Sequence, residues 1–589
     1  MKSLKPSLAI LFGLIAAGSV ANAATVSIVP VQGAKFLAGA NFDLRIEMSG
    51  IKGAAKDVTV TVNGRDAAAY FSKPLVASSI AADNQNLMVR GVNIRTPGKL
   101  EIIARGVDDA GVFVKQVSYD VVNETNFGKK AKNVIIFIGD GMGWNTVTNA
   151  RIVMHGIENG KAKDLLNMEK ADSVATIATS GLNGLVTDSA NSASAYSTGH
   201  KTANNAMGVY PDNTPDTLDD PRQENLFEIL KRTKNYGFGL VTTSYLADAT
   251  PAAWVAHTRR RADYSDIIGQ FFDGPVRPSV LMGGGSIDFL PKSVKGSRRK
   301  DERDMIGEFQ KAGYQFVSSA KELSTAKPEK VLGLFQLQWM NGYIDRVQTK
   351  NPDTLGAFTD QPLLWDMATK AIASLEALHP NGFVLMVEGS NSDVLQHSLD
   401  WQRATWDAIE MDVAVGKAKE WAAKRGDTLV IATADHAHSN STYGTYNTAK
   451  GAGAPTGTAA GVGLYEEYGF PTYDTKRDAN GLPMARTDIG LAVGYAAAPA
   501  HFEQNIVQDK PNVPTATQDG KTVPNPAYAG GQLAGGNIGG TSGNHTVDPV
   551  PLFATGPGSQ FFKGSMDNTE VFFGMARAIG IDANRNLSK

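Results

Sequence analysis

Hydrophobic and polar residues alternate along the first hundred residues that follow the N-terminal leader-like stretch. The clearest run, at 42–48, reads Phe42, Asp43, Leu44, Arg45, Ile46, Glu47, Met48. A period of two predicts β-strands that bury one face. Further strands are predicted over 100–104 and 112–122, and Asn63-Gly64 predicts a hairpin turn. Together these short strands predict an all-β, immunoglobulin-like sandwich domain over residues 24–126.

After a linker near 126–132 the hydrophobic period changes. Uninterrupted apolar runs at 134–138, 238–241, 383–387 and 429–432 alternate with amphipathic segments that have a helical period. Buried strands joined by helices predict an α/β domain over 127–589, with a mostly parallel central sheet flanked by helices. A segment rich in Gly, Ala, Pro and Thr at 447–540 predicts a long insertion, which fits a lid, a dimer contact or a surface loop.

The first 23 residues have the features of an export signal. Lys2 and Lys5 precede an apolar stretch at 8–18, and Ala21-Asn22-Ala23 forms a small-residue cleavage pattern. The alternative, a membrane anchor, is disfavoured because the stretch is shorter than the roughly 20 residues that a bilayer requires. We therefore expect a periplasmic or secreted protein without a membrane span.

Composition narrows the chemistry that the chain can use. Lys and Arg total 57 and Asp and Glu total 59, giving a formal net charge of −2. This balance argues against a nucleic-acid-binding protein, which needs a basic surface. With no Cys in the chain, disulfides and thiolate metal sites are excluded. Any metal must then be held by oxygen and by the imidazoles of nine His residues.

Acidic residues follow three of the predicted strands. Asp140 lies in the glycine-rich segment 139–143, Glu388 ends the strand at 383–387, and Asp435-His436 follow the strand at 429–432. The carboxyl ends of parallel strands lie at one edge of a sheet, where ligands bind. Carboxylates that are buried close together repel one another unless a cation neutralises them. The pattern therefore predicts a metal site at this edge.

Further candidate ligands lie nearby in sequence. Asp393 and His397 are four residues apart, which places them on one helical face, although such a pair is also common as a surface hydrogen bond. His545 lies in a glycine-rich loop before the predicted strand at 550–554 and could complete a set of ligands. Asp and His together suit zinc, whereas oxygen ligands alone suit magnesium.

The segment 187–199 predicts a tightly packed helix of small residues that ends at Gly199. Either Asp188 or Ser189 lies at its N-terminus, where it could cap the helix or help to bind an anion. A serine needs activation to act as a nucleophile, and no His neighbours Ser189 in sequence. A metal ion could lower the pKa of its hydroxyl instead.

These segments resemble the alkaline phosphatase family of metal-dependent phosphomonoesterases. The resemblance extends from 133 to about 581 in ordered motifs: IGDGMG at 138–143, TDSANSASAYSTGHKT at 187–202, DATPAAWVAHTRRR at 248–261, VEGSNSDVLQH at 387–397, TADHAH at 433–438 and GNHT at 543–546. It implies an alkaline phosphatase-like fold and hydrolysis of phosphate monoesters at alkaline pH through a phosphoserine intermediate. It also implies small phosphorylated substrates, two Zn2+ ions and one Mg2+ ion as cofactors, and a possible homodimer.

The resemblance also implies a role for each matching residue. Ser189 would be the nucleophile and Arg261 would bind the phosphoryl oxygens. One zinc would be held by Asp393, His397 and His545. The second would be held by Asp140, Asp435, His436 and Ser189. Magnesium would be held by Asp140, Thr250 and Glu388.

The chain departs from common family patterns at two positions near this site. Val394 stands where many relatives have Lys, His or Trp, and Asp248 matches relatives with Asp where others have His. His438 is expected to orient a ligand such as Asp393 rather than to bind metal itself.

Two alternative functions remain open. One is a phosphodiesterase or nucleotidase on the same scaffold, which Arg261 disfavours because its guanidinium suits a dianionic monoester. The other is surface attachment or carbohydrate binding through the sandwich domain. A sulfatase is disfavoured because the chain has no C-x-P-x-R or S-x-P-x-R motif.

Overall fold

The computed structural model of the chain describes residues 24–125, 128–450, 462–463, 468–495, 515–519, 521–524 and 542–587. The predicted signal at 1–23 and much of the predicted insertion lie outside the described residues. The described residues form two compact units. The N-terminal unit contains residues 24–34, Asp43–Val92 and Gly98–Asp120, and the second unit contains Lys35–Phe42, Asn93–Pro97 and the chain from Val121 onward.

The N-terminal unit is built from strands in two sheets. In one sheet the order is Thr25–Val29, Asn41–Ser49, Asn84–Asn93 and Val76–Ser78. In the other, Gly111–Val122, Gly98–Asp108, Lys56–Val62 and Arg65–Asp66 follow one another. Asn63 and Gly64 have φ of 48° and 77° and make the predicted hairpin turn. A short helix, Ala67–Phe71, is the one helix among the described residues of this unit. The immunoglobulin-like topology stays a prediction.

The strand Asn41–Ser49 differs from its predicted pattern in one respect. Its apolar residues are buried, but Asp43 and Arg45 on the other face are also buried, at 5% and 3% exposure. Both charges have partners, since Asp43 Oδ2 lies 2.8 Å from Arg90 Nη1 and Arg45 Nε lies 2.8 Å from Glu47 Oε1. The alternation of apolar and polar residues therefore predicted the strand correctly. It could not show that the charged side chains of Asp43 and Arg45 are also buried, because the pattern does not show which charges form ion pairs.

The second unit is organised around a ten-stranded sheet. Its strands, from one edge to the other, are Gln315–Val317, Val331–Leu334, Val280–Gly284, Gly237–Tyr245, Phe383–Gly389, Asn133–Gly139, Thr428–Thr433, Val550–Thr555, Ser173–Ala178 and Gly564–Asp567. Neighbours pair in parallel except at Val550–Thr555, which runs antiparallel to both of its neighbours. The predicted mostly parallel α/β sheet is confirmed.

Helices of the second unit lie between the strands in the sequence. Their bounds are Trp144–His155, Ser189–Thr198, Leu226–Lys234, Ala249–Ala252, Tyr264–Asp273, Met305–Lys311, Ala320–Thr325, Pro352–Leu355, Leu364–Leu378, Asn391–His397, Trp401–Arg425 and Thr569–Ile579, with a π-helix at Ile344–Thr349. Trp401–Arg425, the longest of these helices, ends where Gly426 takes a left-handed conformation (φ 67°).

Strand register explains why candidate ligands meet at one edge. Ile138 is aligned with Glu388 on one neighbouring strand and with Thr433 on the other. Asp140 and Asp435 each follow by two residues, so all three carboxylates leave the sheet at the same edge. Because Val550–Thr555 runs in the opposite direction, its preceding loop reaches this edge too, and strand His545–Thr546 pairs with Ala437–His438.

The described parts of the predicted insertion contain antiparallel strands. Asn440–Asn447 pairs with Ile489–Tyr495 and with Val462–Gly463, and Thr515–Gln518 pairs with Lys521–Pro524. The excursion from the main sheet therefore begins at Asn440, a few residues before the predicted start. Within the ranges that the structure describes, we find no helix with the length and apolarity needed to cross a membrane.

Replacing Ile136 by Ala tests the central strand. Ile136 is fully buried, so the cavity is expected to lower the free energy of unfolding by about 2–5 kcal/mol. Denaturant unfolding of the second unit measures the change. Val294→Ala, at a position 42% exposed, is the control and should change it by less than about 0.5 kcal/mol. Equal effects of the two substitutions would contradict the assignment of Ile136 to the core.

Candidate active site

Ser189 is held at the start of a buried helix. The Asp188 side chain accepts a hydrogen bond from Ala190 N at 2.5 Å, and the Asn191 side chain accepts one from Asp188 N at 3.1 Å. This capping box assigns the N-cap to Asp188 and makes Ser189 the first helical residue. The small side chains of the helix allow all of its residues to be buried, and Ser189 is only 3% exposed.

The Ser189 hydroxyl faces a histidine and a carboxylate. Its Oγ lies 3.3 Å from His436 Nε2 and 3.4 Å from Asp140 Oδ2. His436 Nε2 is in turn 3.1 Å from Asp140 Oδ1. Residues from three parts of the sequence therefore surround one oxygen, which is the arrangement needed to bind a cation beside a nucleophile.

One cluster of possible metal ligands contains Asp393, His397, His438 and His545, whose ligand atoms all lie within 4.8 Å of one another. His397 Nε2 and His545 Nε2 are 3.1 Å apart, and His545 Nε2 lies 3.3 Å from Asp393 Oδ1. His438 Nε2 lies 2.7 Å from Asp393 Oδ1, which is the orienting contact expected from the sequence.

The other ring nitrogens of two of these histidines are fixed by backbone carbonyls. His397 Nδ1 is 2.8 Å from Gly543 O, and His545 Nδ1 is 2.9 Å from Thr187 O. A carbonyl can only accept a hydrogen bond, so each Nδ1 carries a proton, and each Nε2 is the nitrogen whose lone pair is available to a metal once it holds no proton. This is the tautomer that binds zinc.

A second cluster contains Asp140, Asp393 and His436, again with ligand atoms within 4.8 Å of one another. Asp435 adjoins it, because its Oδ2 lies 3.6 Å from His436 Nε2. Asp435 Oδ1 accepts hydrogen bonds from Gly141 N and His436 N, whereas Oδ2 is buried and has no hydrogen-bond partner among the described residues. A buried carboxylate oxygen without a donor fits a cation.

Glu388 and Thr250 supply oxygen atoms only. Glu388 Oε2 accepts a hydrogen bond from Thr242 Oγ1, while Glu388 Oε1 and Thr250 Oγ1 are buried without partners in the part of the chain that the structure describes. Thr250 belongs to the short helix Ala249–Ala252, which packs against Phe383–Gly389, the strand that contains Glu388. Because both groups offer oxygen and no nitrogen, they match the preference of magnesium for oxygen ligands.

Burial makes the metal-free carboxylates difficult to ionise. Burial, together with the charge of Asp393, raises the pKa of Asp140, and burial with the charge of Asp140 raises the pKa of Glu388. Burial and the charge of Asp140 also raise the pKa of Asp435, to about 7. The ionised carboxylates would repel one another in this buried site, and a bound cation would relieve that repulsion and allow them to ionise.

The histidines respond to burial in two ways. Burial lowers the pKa of His436 and of His438 to about 4, so both are neutral and able to bind metal or donate one hydrogen bond. For His545, burial also lowers the pKa, but the hydrogen bond and charge of Asp393 outweigh it and raise the pKa to about 9. Among the neighbouring groups, Asp393 therefore has the largest effect on the pKa of His545.

Arg261 lies between two carboxylates beside the nucleophile's helix. Its Nη2 is 2.7 Å from Asp248 Oδ1, and its Nη1 is 3.6 Å from Asp188 Oδ1. Asp248 also accepts a hydrogen bond from Ser244 Oγ at 2.6 Å. The guanidinium is therefore held in a fixed orientation near Ser189, with 27% of the side chain exposed.

Sequence reasoning missed Thr242 and Ser244. Both lie at the end of the strand Gly237–Tyr245, where Thr242 is aligned with Glu388. The signal was a run of hydroxyl residues, Thr242-Thr243-Ser244, at the edge where the acidic residues were already expected. Val394 is half-buried directly after Asp393, and its carbonyl accepts a hydrogen bond from Ser398 Oγ at 3.4 Å.

The sequence profile of the family described as alkaline phosphatase matches residues 131–581. The chain is 30% identical over 457 residues to alkaline phosphatase 3 of Bacillus subtilis, covering 76% of this chain and 89% of that protein. The chain belongs to the alkaline phosphatase family. Alkaline phosphatases are phosphoric monoester hydrolases, and this chain is an enzyme of that class.

Other relatives agree with this family assignment. The alkaline phosphatase of Escherichia coli is 33% identical over 390 residues, which is 59% of this chain and 79% of that protein. Among solved structures, the Thermus thermophilus alkaline phosphatase matches with a TM-score of 0.54 at 24% identity, covering 78% of this chain and 93% of its own. A variant of the TAB5 alkaline phosphatase with magnesium in its M3 site gives 0.50 at 23% identity, covering 77% and 99%. These structures share the alkaline phosphatase fold.

Removing metal with a chelator is expected to lower the melting temperature, and by more at pH 8 than at pH 5. In the metal-free protein the pKa of Asp435 is about 7, above its ordinary value of 3.8. A raised pKa in the folded state adds stability in acid that is lost as the pH rises through about 4 to 7. A bound cation replaces the proton and removes that loss.

Scanning calorimetry of metal-loaded and chelated protein at both pH values measures this difference. Chelated protein incubated again with zinc and magnesium is the control for irreversible damage and should recover the higher melting temperature. A chelated protein that melts as high as the loaded protein at pH 8 would contradict the assignment of a metal to these carboxylates.

Proposed function

We propose that the enzyme hydrolyses phosphate monoesters at alkaline pH through a phosphoserine intermediate on Ser189. The observation that carries the proposal is the position of the Ser189 hydroxyl, which is buried at a helix N-terminus 3.3 Å from His436 Nε2 and 3.4 Å from Asp140 Oδ2. A phosphoryl group reaching this oxygen would also meet the positive end of the helix.

We further propose two zinc ions and one magnesium ion. Asp393, His397 and His545 would hold the first zinc; Asp140, Asp435, His436 and Ser189 would hold the second; Asp140, Thr250 and Glu388 would hold magnesium. Nitrogen and oxygen ligands for zinc and oxygen ligands for magnesium fit the preferences of these ions. When bound, the metals would supply positive charge for the attacking and leaving oxygens.

The chain's own residues account for the remaining steps. The Ser189 oxygen gives up its proton and forms a bond to phosphorus as the bond between phosphorus and the alcohol oxygen breaks, and the alcohol oxygen takes up a proton. A water oxygen then forms a bond to phosphorus as the bond between phosphorus and Ser189 Oγ breaks, which releases inorganic phosphate and returns a proton to Ser189 Oγ. Arg261 donates N–H groups to the phosphoryl oxygens through its planar guanidinium, which Asp248 and Asp188 orient. The magnesium-bound TAB5 variant supports a magnesium site in this family.

We propose that residues 1–23 direct export to the periplasm or the outside of the cell, and that residues 24–126 form a separate sandwich domain that acts as a spacer. The enzyme domain at 127–589 would act on small phosphorylated substrates, and a homodimer fits its family.

Replacing Ser189 by Ala is expected to lower kcat for an aryl phosphate by about a thousandfold or more, because no oxygen remains to accept the phosphoryl group. Steady-state release of phosphate measures the effect. Ser197→Ala is the matched control, since Ser197 is buried in the same helix but donates to Ala253 O at 2.6 Å. It should cost stability and leave kcat within about threefold. Full activity of the Ser189 variant would refute the proposal.

The phosphodiesterase or nucleotidase alternative is tested at Arg261. A monoester dianion gains more from the guanidinium than a diester monoanion, so Arg261→Ala is expected to lower the monoester kcat/KM by about 10–100-fold and the diester value by less. Rates for 4-nitrophenyl phosphate and bis(4-nitrophenyl) phosphate on one preparation measure the ratio. The exposed Arg277→Ala is the control. A wild-type preference for the diester would favour the alternative.

A further inference from the structure

The helix that carries Asp393 and His397 is only seven residues long, Asn391–His397. An isolated helix of this length is unstable in water, so contacts with the rest of the fold must fix its position. Ser390, at its N-cap, makes no side-chain capping hydrogen bond among the described residues. The first helical residue, Asn391, is 3% exposed and ties the start of the helix to its surroundings instead.

The amide of Asn391 donates two buried hydrogen bonds. Its Nδ2 lies 3.1 Å from Met340 O and 3.0 Å from Asp407 Oδ1. An amide nitrogen has two donor hydrogens, so these two acceptors satisfy it completely. Loss of either acceptor would leave a buried polar group without a partner and would loosen the start of the helix.

Asp407 accepts a hydrogen bond at each of its two oxygens. It lies on the long helix Trp401–Arg425 and is 3% exposed. While Oδ1 accepts from Asn391, Oδ2 accepts from Tyr343 N at 2.9 Å. A carboxylate meets both donors, whereas an amide at this position has one oxygen and would turn an N–H group toward one of them.

Met340 connects the same start of the helix to the central sheet. Its N donates to Thr243 O at 2.8 Å, and Thr243 Oγ1 accepts a hydrogen bond from Ser390 N at 2.9 Å. The first turn is therefore held on one side by the sheet, through Thr243, and on the other by the long helix, through Asp407.

The opposite end of the helix has separate contacts. Gln396 Nε2 donates to Gly141 O at 3.0 Å, and Gly543 N donates to His397 O at 3.2 Å. Asp393 belongs to the first turn, so the contacts at the start of the helix are the ones that set its position.

We propose that Asp407 is a positioning residue for the zinc that Asp393, His397 and His545 would hold, and that it acts through Asn391. The inference rests on the proposed function. Asp407 fixes the first turn of the helix and thereby the place of the Asp393 carboxylate. Loss of a group that orients a metal ligand typically weakens metal binding by about 10–100-fold.

The test measures zinc binding to the full chain by competition with a chelator at pH 8.5. Burial and the charge of Glu410 raise the pKa of Asp407 to about 7, so the carboxylate is ionised at this pH. Asp407→Asn and Asn391→Leu are each expected to bind one zinc equivalent about 10–100-fold more weakly than the wild type. Excess zinc should restore kcat for 4-nitrophenyl phosphate to within about threefold, because the ligands themselves are intact.

The double variant Asn391→Leu/Asp407→Asn tests whether Asp407 acts through Asn391. Its zinc affinity should lie within about threefold of the weaker single variant, because two residues that act as one unit have non-additive effects. Losses that multiply in the double variant would mean that Asp407 acts by another route and would overturn the inference. Asn391→Leu leaves the contact between Asp407 and Tyr343 in place, so it carries the test if Asp407→Asn does not fold.

Asp412→Asn is the matched control. Asp412 is 2% exposed on the same long helix, and it accepts hydrogen bonds from Asn167 Nδ2 at 2.9 Å and Met168 N at 2.8 Å. It should lower the melting temperature as Asp407→Asn does and keep the wild-type zinc affinity, since its partners lie in another segment. An equal loss of zinc affinity in this control would overturn the inference. So would an Asp407→Asn or Asn391→Leu variant that melts earlier but binds zinc like the wild type.

Failure of the proposed function would look different. A wild type that binds no zinc, or that releases no phosphate from 4-nitrophenyl phosphate when loaded with zinc and magnesium, would refute the proposed function itself. A wild type that binds zinc and releases phosphate, with zinc affinity unaffected by either substitution, would refute only the role of Asp407.

Discussion

Repulsion between buried carboxylates is the constraint on which the second unit of this protein depends. Asp140, Glu388 and Asp435 end neighbouring strands of one sheet, and burial raises the pKa of each. Glu388 and Asp435 each have one oxygen without a hydrogen-bond partner among the described residues, and these oxygens and the nearby imidazoles fit bound cations. The same cations would also lower the pKa of the buried Ser189 hydroxyl. Bound metal would therefore serve both the stability of the fold and catalysis.

The fold meets this constraint by bringing distant segments to one edge. Asp140, Glu388 and Asp435 lie at the carboxyl ends of parallel strands. His545 lies in the loop that precedes Val550–Thr555, and this loop reaches the same edge because that strand runs antiparallel to its neighbours. The helix of small residues that begins at Ser189 packs closely enough to place its hydroxyl between Asp140 and His436. Hydrogen bonds that His397 and His545 donate to backbone carbonyls then fix these two imidazoles.

Much of this could be read from the sequence because strand ends and helix starts have local signatures. Acidic residues after apolar runs indicated the edge of the sheet at which these side chains meet. The roles proposed for Thr250 and Arg261 came from the family motifs, because neither residue has a local signature. Thr242 and Ser244 were missed because a buried hydroxyl is distinguished from an exposed one only by its partner across the sheet. Asp43 and Arg45 were expected to be exposed, since alternation records polarity but not the ion pairs that allow burial.

The metal content of the purified protein tests the central claim most directly. After dialysis against metal-free buffer, elemental analysis should find about two zinc ions and one magnesium ion per chain, and Asp435→Asn should lose zinc while it remains folded. A well-folded wild-type protein that holds no zinc after incubation with the metal would contradict the account, because its buried carboxylates would then be stable without a cation.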